Sequence, residues 1–175
     1  MDRNESILII TENKIKNLSR EKREELILNW WGIDNEDSEL KLLSKTLQQE
    51  LSKSDEPLDD VMEKKYNPLL RIAIKDEFLG VRNEYLSEIV SKILCRKVIV
   101  EGKIESLKQC PCCKYKTLTE RGQYEICPVC FWEDDGSNQP TRYSSPNHMT
   151  LNEGRERFIK FKDSREDMKK RYIKS

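Results

Sequence analysis

Apolar residues recur every three or four positions through much of residues 1–95, which is the spacing of an amphipathic helix. Three stretches carry this pattern, and each follows a residue that commonly caps a helix N-terminus. The caps and the apolar positions behind them are Ser19 with Leu26, Ile27, Trp30, Trp31 and Ile33, Ser38 with Leu40, Leu43, Leu47 and Leu51, and Asn83 with Leu86, Ile89, Val90, Ile93 and Leu94. We predict a helical domain over residues 1–96, with these faces in its core.

The period changes at residues 97–109. Val98 and Val100 alternate with Ile99 and Glu101, and Gly102 is suited to a turn. We predict one or two short strands that connect the helical domain to the segment that follows.

A final helix is predicted over residues 150–175. Thr150 and Glu153 have the spacing of a capping box, in which each side chain bonds the backbone N–H of the other residue. Apolar positions then give the helix one buried side: Leu151, Phe158, Ile159 and Phe161. The preceding stretch, residues 133–148, lacks aliphatic residues and is predicted to be a loop.

Charge and the N-terminal residues limit the functions to consider. Lys plus Arg equals Asp plus Glu, 32 against 32, so the whole chain has no general attraction to nucleic acid or acidic membranes. The N-terminal residues are acidic where a signal peptide would be basic, and no stretch approaches the roughly 18 apolar residues of a membrane helix. We therefore expect a cytoplasmic protein, in which thiols stay reduced.

The cysteines carry the strongest chemical signal. Five of the six lie within residues 110–130, and four of them form two C-P-x-C pairs with 13 residues between the pairs. Two such pairs are typical of a tetrahedral site for one zinc ion. The predicted ligands are Cys110, Cys113, Cys127 and Cys130. A hairpin of residues 115–119 and 124–126, turning at Gly122, would bring the pairs together in a zinc-ribbon module over residues 110–149.

The predicted fold class is therefore α+β: a mainly helical N-terminal region, a small zinc-ribbon hairpin module and a C-terminal helix. Zn²⁺ is the expected cofactor, structural and one per chain. Iron in the same four-sulfur site stays open as an alternative. Disulfides are disfavoured in the cytosol, and thioredoxin-like redox chemistry would use one C-x-x-C before a helix rather than two.

Other reactive side chains have simpler explanations. Cys112 is expected to be a small residue whose sulfur points away from the metal; the alternative is a spare metal ligand or a redox-sensitive thiol. Cys95 is most simply a buried apolar residue. His148 is expected to be a polar residue before the helix cap. The acidic run from Glu133 to Asp135 is expected to be a solvated turn.

The string from Cys110 to about Phe161 resembles the CPCC family of cysteine-rich bacterial proteins. The strings that carry the resemblance are "CPCC", "TLTERGQYEICPVCFWEDDG" and "NHMTLNEGRERF". The resemblance implies the same four cysteine ligands and marks residues 131–136 and Asn147-His148 as family features. It implies no enzymatic activity, and such small proteins look like those encoded near polymorphic toxins. The family usually has Gly after its second ligand, where this chain has Lys114. If the backbone there is left-handed, a lysine in place of glycine lowers the stability of the fold by roughly 1–2 kcal/mol.

Two functions follow as expectations. The first is a non-enzymatic protein-binding module, in its sharpest form an immunity protein that neutralises a cognate toxin; an acidic turn and the aromatic residues Tyr124, Phe131 and Trp132 favour it. The alternative is a nucleic-acid-binding regulator, because residues 154–175 hold nine Lys and Arg against four Asp and Glu. We expect no enzyme, no membrane partner and no small-molecule substrate, since the sequence has no phosphate loop, no open metal site and no nucleophile beside a base.

Overall fold

A computed structural model describes residues 1–34, 36–160 and 166–174. Within these residues the chain forms seven α-helices, two short 3-10 helices and two small antiparallel hairpins. The α-helices are α1 (Arg3–Asn17), α2 (Arg20–Asn29), α3 (Lys45–Lys53), α4 (Asn67–Asp76), α5 (Asn83–Leu94), α6 (Leu151–Lys160) and α7 (Glu166–Arg171). The strands are β1 (Lys108–Gln109), β2 (Lys116–Leu118), β3 (Tyr143–Ser144) and β4 (Met149–Thr150). The predicted α+β class is confirmed.

The chain divides into two compact units. The first, here called the helical unit, comprises Met1–Leu79 and Ile89–Val98; the second, the cysteine unit, comprises Gly80–Glu88 and Ile99–Ser175. No helix in the described ranges combines the length and the apolar character needed to cross a membrane.

In the helical unit, α1 and α2 both pack against α4. The most deeply buried side chains include Ile10, Ile27, Leu69, Leu70 and Ile74. The core also encloses a polar network: the buried Tyr66 hydroxyl donates to Glu50 Oε1 at 2.6 Å, and Lys65 Nζ donates to Glu50 Oε2 at 2.7 Å. The apolar stripes predicted from the sequence thus form a core that also satisfies one buried carboxylate.

The helix predicted after Ser38 is broken in two. Ser38–Leu42 form a 3-10 helix, Leu43 is extended, and α3 begins behind Ser44, whose hydroxyl accepts from the Leu47 amide at 3.3 Å. The side-chain amide of Gln48 donates through Nε2 to the carbonyls of Leu40 and Leu43 at 3.0 and 2.9 Å. These side-chain bonds satisfy backbone groups that a continuous helix would have paired.

Of the strands predicted for the connector 97–109, one forms, β1 at Lys108–Gln109, whereas the alternating residues 98–100 are not a strand. The amide of Val98 donates to the Ser91 hydroxyl and that of Val100 to the Ser87 hydroxyl, both at 2.9 Å. Serine side chains on α5 therefore take the amides that a neighbouring strand would have bonded, and the first strand begins only at Lys108.

The cysteine unit contains both hairpins. β1 pairs with β2 around the first cysteine pair, with an irregular register at Lys108 and Gln109, and β3 pairs with β4. The predicted capping box of α6 is confirmed, because Thr150 and Glu153 exchange both side-chain to backbone bonds, at 2.7 and 3.3 Å. Phe161, predicted on this helix, lies outside the described residues.

The chain end does not continue as the predicted helix. α7 ends at Arg171, and Tyr172 and Lys174 then form single antiparallel bridges with Val81 and Tyr115. The last described residues are therefore extended and tied into the cysteine unit.

Candidate metal centre

The first cysteine pair forms a tight turn between β1 and β2. The Cys110 amide donates to the Tyr115 carbonyl at 2.8 Å, and the Lys114 amide donates back to the Cys110 carbonyl at 3.1 Å. Lys114 has a positive φ of 70°. The left-handed position inferred from the family's glycine is thus confirmed, and it is occupied by a residue with a β-carbon.

The second pair repeats this geometry. The Cys127 amide donates to the Trp132 carbonyl at 2.9 Å, and the Phe131 amide donates to the Cys127 carbonyl at 2.8 Å. Phe131 occupies the position that corresponds to Lys114 and has a φ of 61°. A left-handed residue was not predicted at Phe131, although its position directly after Cys130 is equivalent to that of Lys114 after Cys113.

Each turn joins its own pair of antiparallel segments. Lys116–Leu118 pair with Lys108–Gln109, whereas Ile126 bridges to Glu133. The hairpin predicted between the two cysteine pairs does not form among the described residues. β1 and β2 flank the first pair, and residues 124–134, closed by the Ile126–Glu133 bridge and distinct from β3–β4, enclose the second pair. This second segment is called the second hairpin. A tight turn places its own flanking residues side by side, so these local pairings form at small cost in loop-closure entropy.

The four predicted ligands come together. Their sulfur atoms all lie within 4.8 Å of one another, with Cys110 to Cys130 and Cys113 to Cys127 both at 3.6 Å. A tetrahedral zinc ion with sulfur at about 2.3 Å requires neighbouring sulfurs about 3.8 Å apart. A disulfide would require about 2.0 Å, and all six cysteines are free thiols. The cluster therefore fits a four-coordinate metal ion and not a pair of disulfides.

Neighbouring groups favour negative charge at one of these sulfurs. Interactions with Cys110, Cys113 and Cys130, aided by a Thr117 hydroxyl that donates to the sulfur at 3.1 Å, lower the pKa of the Cys127 thiol. The same crowding by Cys110 and Cys127 raises the pKa of Cys113. Since metals bind thiolates, a hydrogen bond that stabilises one thiolate helps to orient the ligand set.

Cys112 lies beside the cluster, where its thiol interacts with that of Cys130, whereas Cys95 and His148 are not among the clustered residues. Cys112 is buried but is not one of the four clustered residues. The prediction that Cys95 is buried is wrong, because the chain leaves α5 there with a left-handed φ of 51° and the thiol is exposed. His148 is exposed, has a φ of 53° and ends the turn before β4.

Residues 108–175 match the cysteine-rich CPCC family. The match begins at β1 and covers both cysteine pairs, α6, α7 and the chain end, less than half of the chain. It confirms the resemblance identified from the sequence and extends it past Phe161. No curated protein and no solved structure matches the chain significantly. The CPCC segment is therefore the part of this protein with a recognised relationship.

The acidic turn of the CPCC segment is not the solvated loop predicted from its sequence. The Asp134 side chain is fully buried, and its Oδ2 accepts from Arg121 Nε and from the Gly122 amide, both at 2.7 Å. Arg121 in turn donates to Asn138 Oδ1 at 3.1 Å. The carboxylate thus connects the turn at Gly122 to the segment that follows the second cysteine pair.

Asn147 has a similar tying role. Its side chain accepts from the Glu133 amide at 2.9 Å and donates to the Glu133 carbonyl at 2.8 Å, as a neighbouring strand would. A further bond at 2.7 Å reaches the Ser144 hydroxyl. Two family features without an assigned role, the acidic turn and Asn147, are therefore structural supports of the second hairpin.

Helix α6 packs directly on the cysteine pairs of the CPCC segment. Arg155 donates to the carbonyl of Pro111, inside the first pair, at 3.1 and 3.2 Å. Gly154 lies against the buried ring of Trp132. Beside this contact is a groove of about 400 Å³, whose wall includes Cys112, Phe131, Trp132, Met149 and Phe158. The helix thus packs on the candidate metal centre and also contributes Gly154 and Phe158 to the wall of a partly apolar groove.

Proposed function

We propose that the CPCC segment holds one structural zinc ion through Cys110, Cys113, Cys127 and Cys130, and that the protein is a non-enzymatic binding module. Four thiolates complete the tetrahedral coordination of zinc, which leaves no position for water or substrate. When bound, the ion contributes folding free energy and not reactivity. The sulfur distances given above support this role.

A protein is the partner that the surface favours. Three apolar side chains on the second hairpin remain exposed: Tyr124 at 59%, Ile126 at 60% and Phe131 at 59%. Phe131 also forms part of the wall of the 400 Å³ groove. Exposed apolar side chains are typical of protein-interaction sites, in which aromatic residues are enriched. This exposure is the observation that carries the proposal.

The most specific form of the proposal is an immunity protein that neutralises a toxin. The chain's resemblance to small bacterial proteins encoded near toxins motivates it, and the exposed hairpin supplies a surface that could cover a partner's active site. The toxin would then be encoded beside this protein, because the producing cell must make both together.

The basic C-terminal residues support nucleic-acid binding less well. Arg155 is bonded to Pro111, Arg171 pairs with Asp167 at 2.9 Å, and the Lys174 ammonium lies 5.9 Å from the Tyr115 ring centre. Arg155 and Arg171 are therefore engaged in contacts within the cysteine unit. Lys162 and Arg165, part of the same basic run, lie outside the described residues.

Co-expression with the product of the adjacent gene tests the proposal. The full chain should co-purify with that product and protect cells that make it. Phe131→Ser should weaken both effects, whereas Tyr143→Ser, at an equally exposed tyrosine on β3, should leave them unchanged. If neither complex nor protection is found while the protein retains its metal, the partner assignment is wrong and the metal assignment stands. A gel shift that weakens steeply with salt would instead favour nucleic acid.

A further inference from the structure

A second groove, of about 500 Å³, lies in the cysteine unit away from the four sulfurs. Its walls include three cationic side chains and one carboxylate: Arg82, Lys169 and Lys174 with Glu84. Tyr115 and Ile104 add apolar surface. The groove is therefore positively charged on one side and apolar on the other.

The backbone around this groove is fixed by hydrogen bonds. The Arg82 amide donates to the Arg171 carbonyl at 2.8 Å, and the Lys116 amide donates to the Ile173 carbonyl at 2.9 Å. Tyr172 and Lys174 bridge to residues on either side. The extended chain end thus carries Lys174 to a defined place beside Arg82 and Lys169, so the three cations belong to one built surface.

Lys169 is the residue that points to a ligand. Its side chain is only 9% exposed, and its ammonium makes no hydrogen bond within the part of the chain that the structure describes. The Glu166 carboxylate is 3.8 Å away and largely exposed, and the ring centre of Phe158 lies 5.5 Å from the ammonium. A buried ammonium without hydrogen bonds is costly unless another group supplies acceptors.

The other two cations are placed at the more exposed side. Lys174 is exposed, and the Arg82 side chain is 41% exposed with its Nε 3.3 Å from Glu84. Cationic groups therefore extend from the protein interior to the solvent. When Glu166, the ion-pair partner of Lys169, is counted with Glu84, the three cations exceed the nearby carboxylates by one. An anion entering the groove would meet the exposed cations first and Lys169 last.

We propose that this groove binds the phosphate group of a small phosphate monoester. A phosphate group carries the negative charge that the excess of cations favours, and it offers three oxygens to the donors of Lys169, Lys174 and Arg82. The organic part of the ligand lies against Tyr115 and Ile104. This site is independent of the proposed partner surface, which is formed by the second hairpin.

Titration of the full, metal-containing chain with inorganic phosphate and with phenyl phosphate tests the site, using calorimetry and phosphorus NMR at constant ionic strength. Both probes should bind saturably, and phenyl phosphate should bind more tightly. Lys169→Met and Lys174→Met should each weaken binding about tenfold, the effect expected for a lost charged hydrogen bond. Lys170→Met is the matched control, because Lys170 is exposed on the same helix and should leave binding unchanged.

The absence of saturable binding to the wild-type chain would overturn the proposal, as would an equal loss in Lys170→Met. Tighter binding of inorganic phosphate than of phenyl phosphate would overturn the assignment of an organic group to the groove. Circular dichroism and metal content show whether Lys169→Met folds. If it does not, Lys174→Met decides, because the charge of this exposed side chain can be removed without disturbing the interior.

Discussion

The ring of Trp132 lies so close to the backbone of Gly154 that a β-carbon at position 154 would come within 2.7 Å of Trp132 Cζ3. The same β-carbon would lie 3.5 Å from the sulfur of Cys112. Trp132 follows the second cysteine pair, and Cys112 lies within the first. One helix position therefore contacts both halves of the candidate metal centre, and this contact depends on the absence of a side chain.

Gly154→Ala should destabilise the protein. Overpacking against a rigid ring costs up to about 3 kcal/mol, and the preference of a helix for Ala over Gly returns about 1 kcal/mol. We expect a net loss of about 2 kcal/mol in the free energy of unfolding by urea.

Gly32→Ala is the matched control for this substitution. A β-carbon at Gly32 would meet nothing within 4 Å, so stability should be unchanged or should rise by about 0.4–1 kcal/mol. In a Trp132→Leu background the cost of Gly154→Ala should shrink. An undiminished cost there would show that the ring is not what the methyl group meets.

Lys114→Gly should stabilise the first cysteine turn. Lys114 has a φ of 70°, a conformation that costs a residue with a β-carbon about 1–2 kcal/mol and costs glycine little. We expect the midpoint of thermal unfolding to rise. Lys116→Gly, in the exposed part of strand β2, should lower it instead, because glycine weakens a strand. A clear loss of stability in Lys114→Gly would contradict the turn geometry.

Asp134→Asn should lower the free energy of unfolding much more than Asp135→Asn does. The Asp134 carboxylate is buried and accepts from Arg121 and from the Gly122 amide, and bonds to a charged group contribute about 1.5–3 kcal/mol. At Asp135, where Asn can still accept from the Ser137 amide, the expected change is within about 0.5 kcal/mol. If the two substitutions lowered the free energy of unfolding in urea equally, the Arg121–Asp134 ion pair would not contribute to stability as described.

Glu50 should make the stability of the helical unit depend on pH. Burial opposes ionisation of this carboxyl, but hydrogen bonds from Lys65, Tyr66 and the Leu58 amide outweigh burial and lower its pKa below the ordinary 4.5. A lowered pKa in the folded state stabilises the protein fully above about pH 4.5, and this stabilisation is lost as the pH falls toward the lowered value.

The difference in unfolding free energy between wild type and Glu50→Gln isolates this effect, because acid release of metal affects both proteins equally. We expect Glu50→Gln to be less stable at pH 7 and the difference to shrink below pH 4.5. Glu24→Gln, at an exposed position on α2, should match wild type throughout. A difference that grows on acidification would contradict the lowered pKa.

Interactions between residues close in the sequence were predictable. The capping box of Thr150 and Glu153, the spacing of the four cysteines and the left-handed Lys114 all depend on fixed local geometry. The four cysteines that lie together and the α+β class were therefore predictable from the sequence.

Features that depend on distant partners were not predictable. Asp134 looks like a turn residue until Arg121 is brought beside it, and the alternation of Val98 and Val100 resembles a strand until serines of α5 take their amides. Cys95 follows an apolar helix face but leaves it through a left-handed turn. In each case a tertiary contact or a backbone reversal overrides the local pattern.

X-ray absorption spectroscopy of the purified full chain, combined with metal analysis, tests the central claim most directly. We predict one zinc ion per chain with four sulfur neighbours at about 2.3 Å and no nitrogen or oxygen ligand. A chain without metal whose sulfurs are joined at about 2.0 Å, or a zinc ion with an open coordination position, would contradict the account.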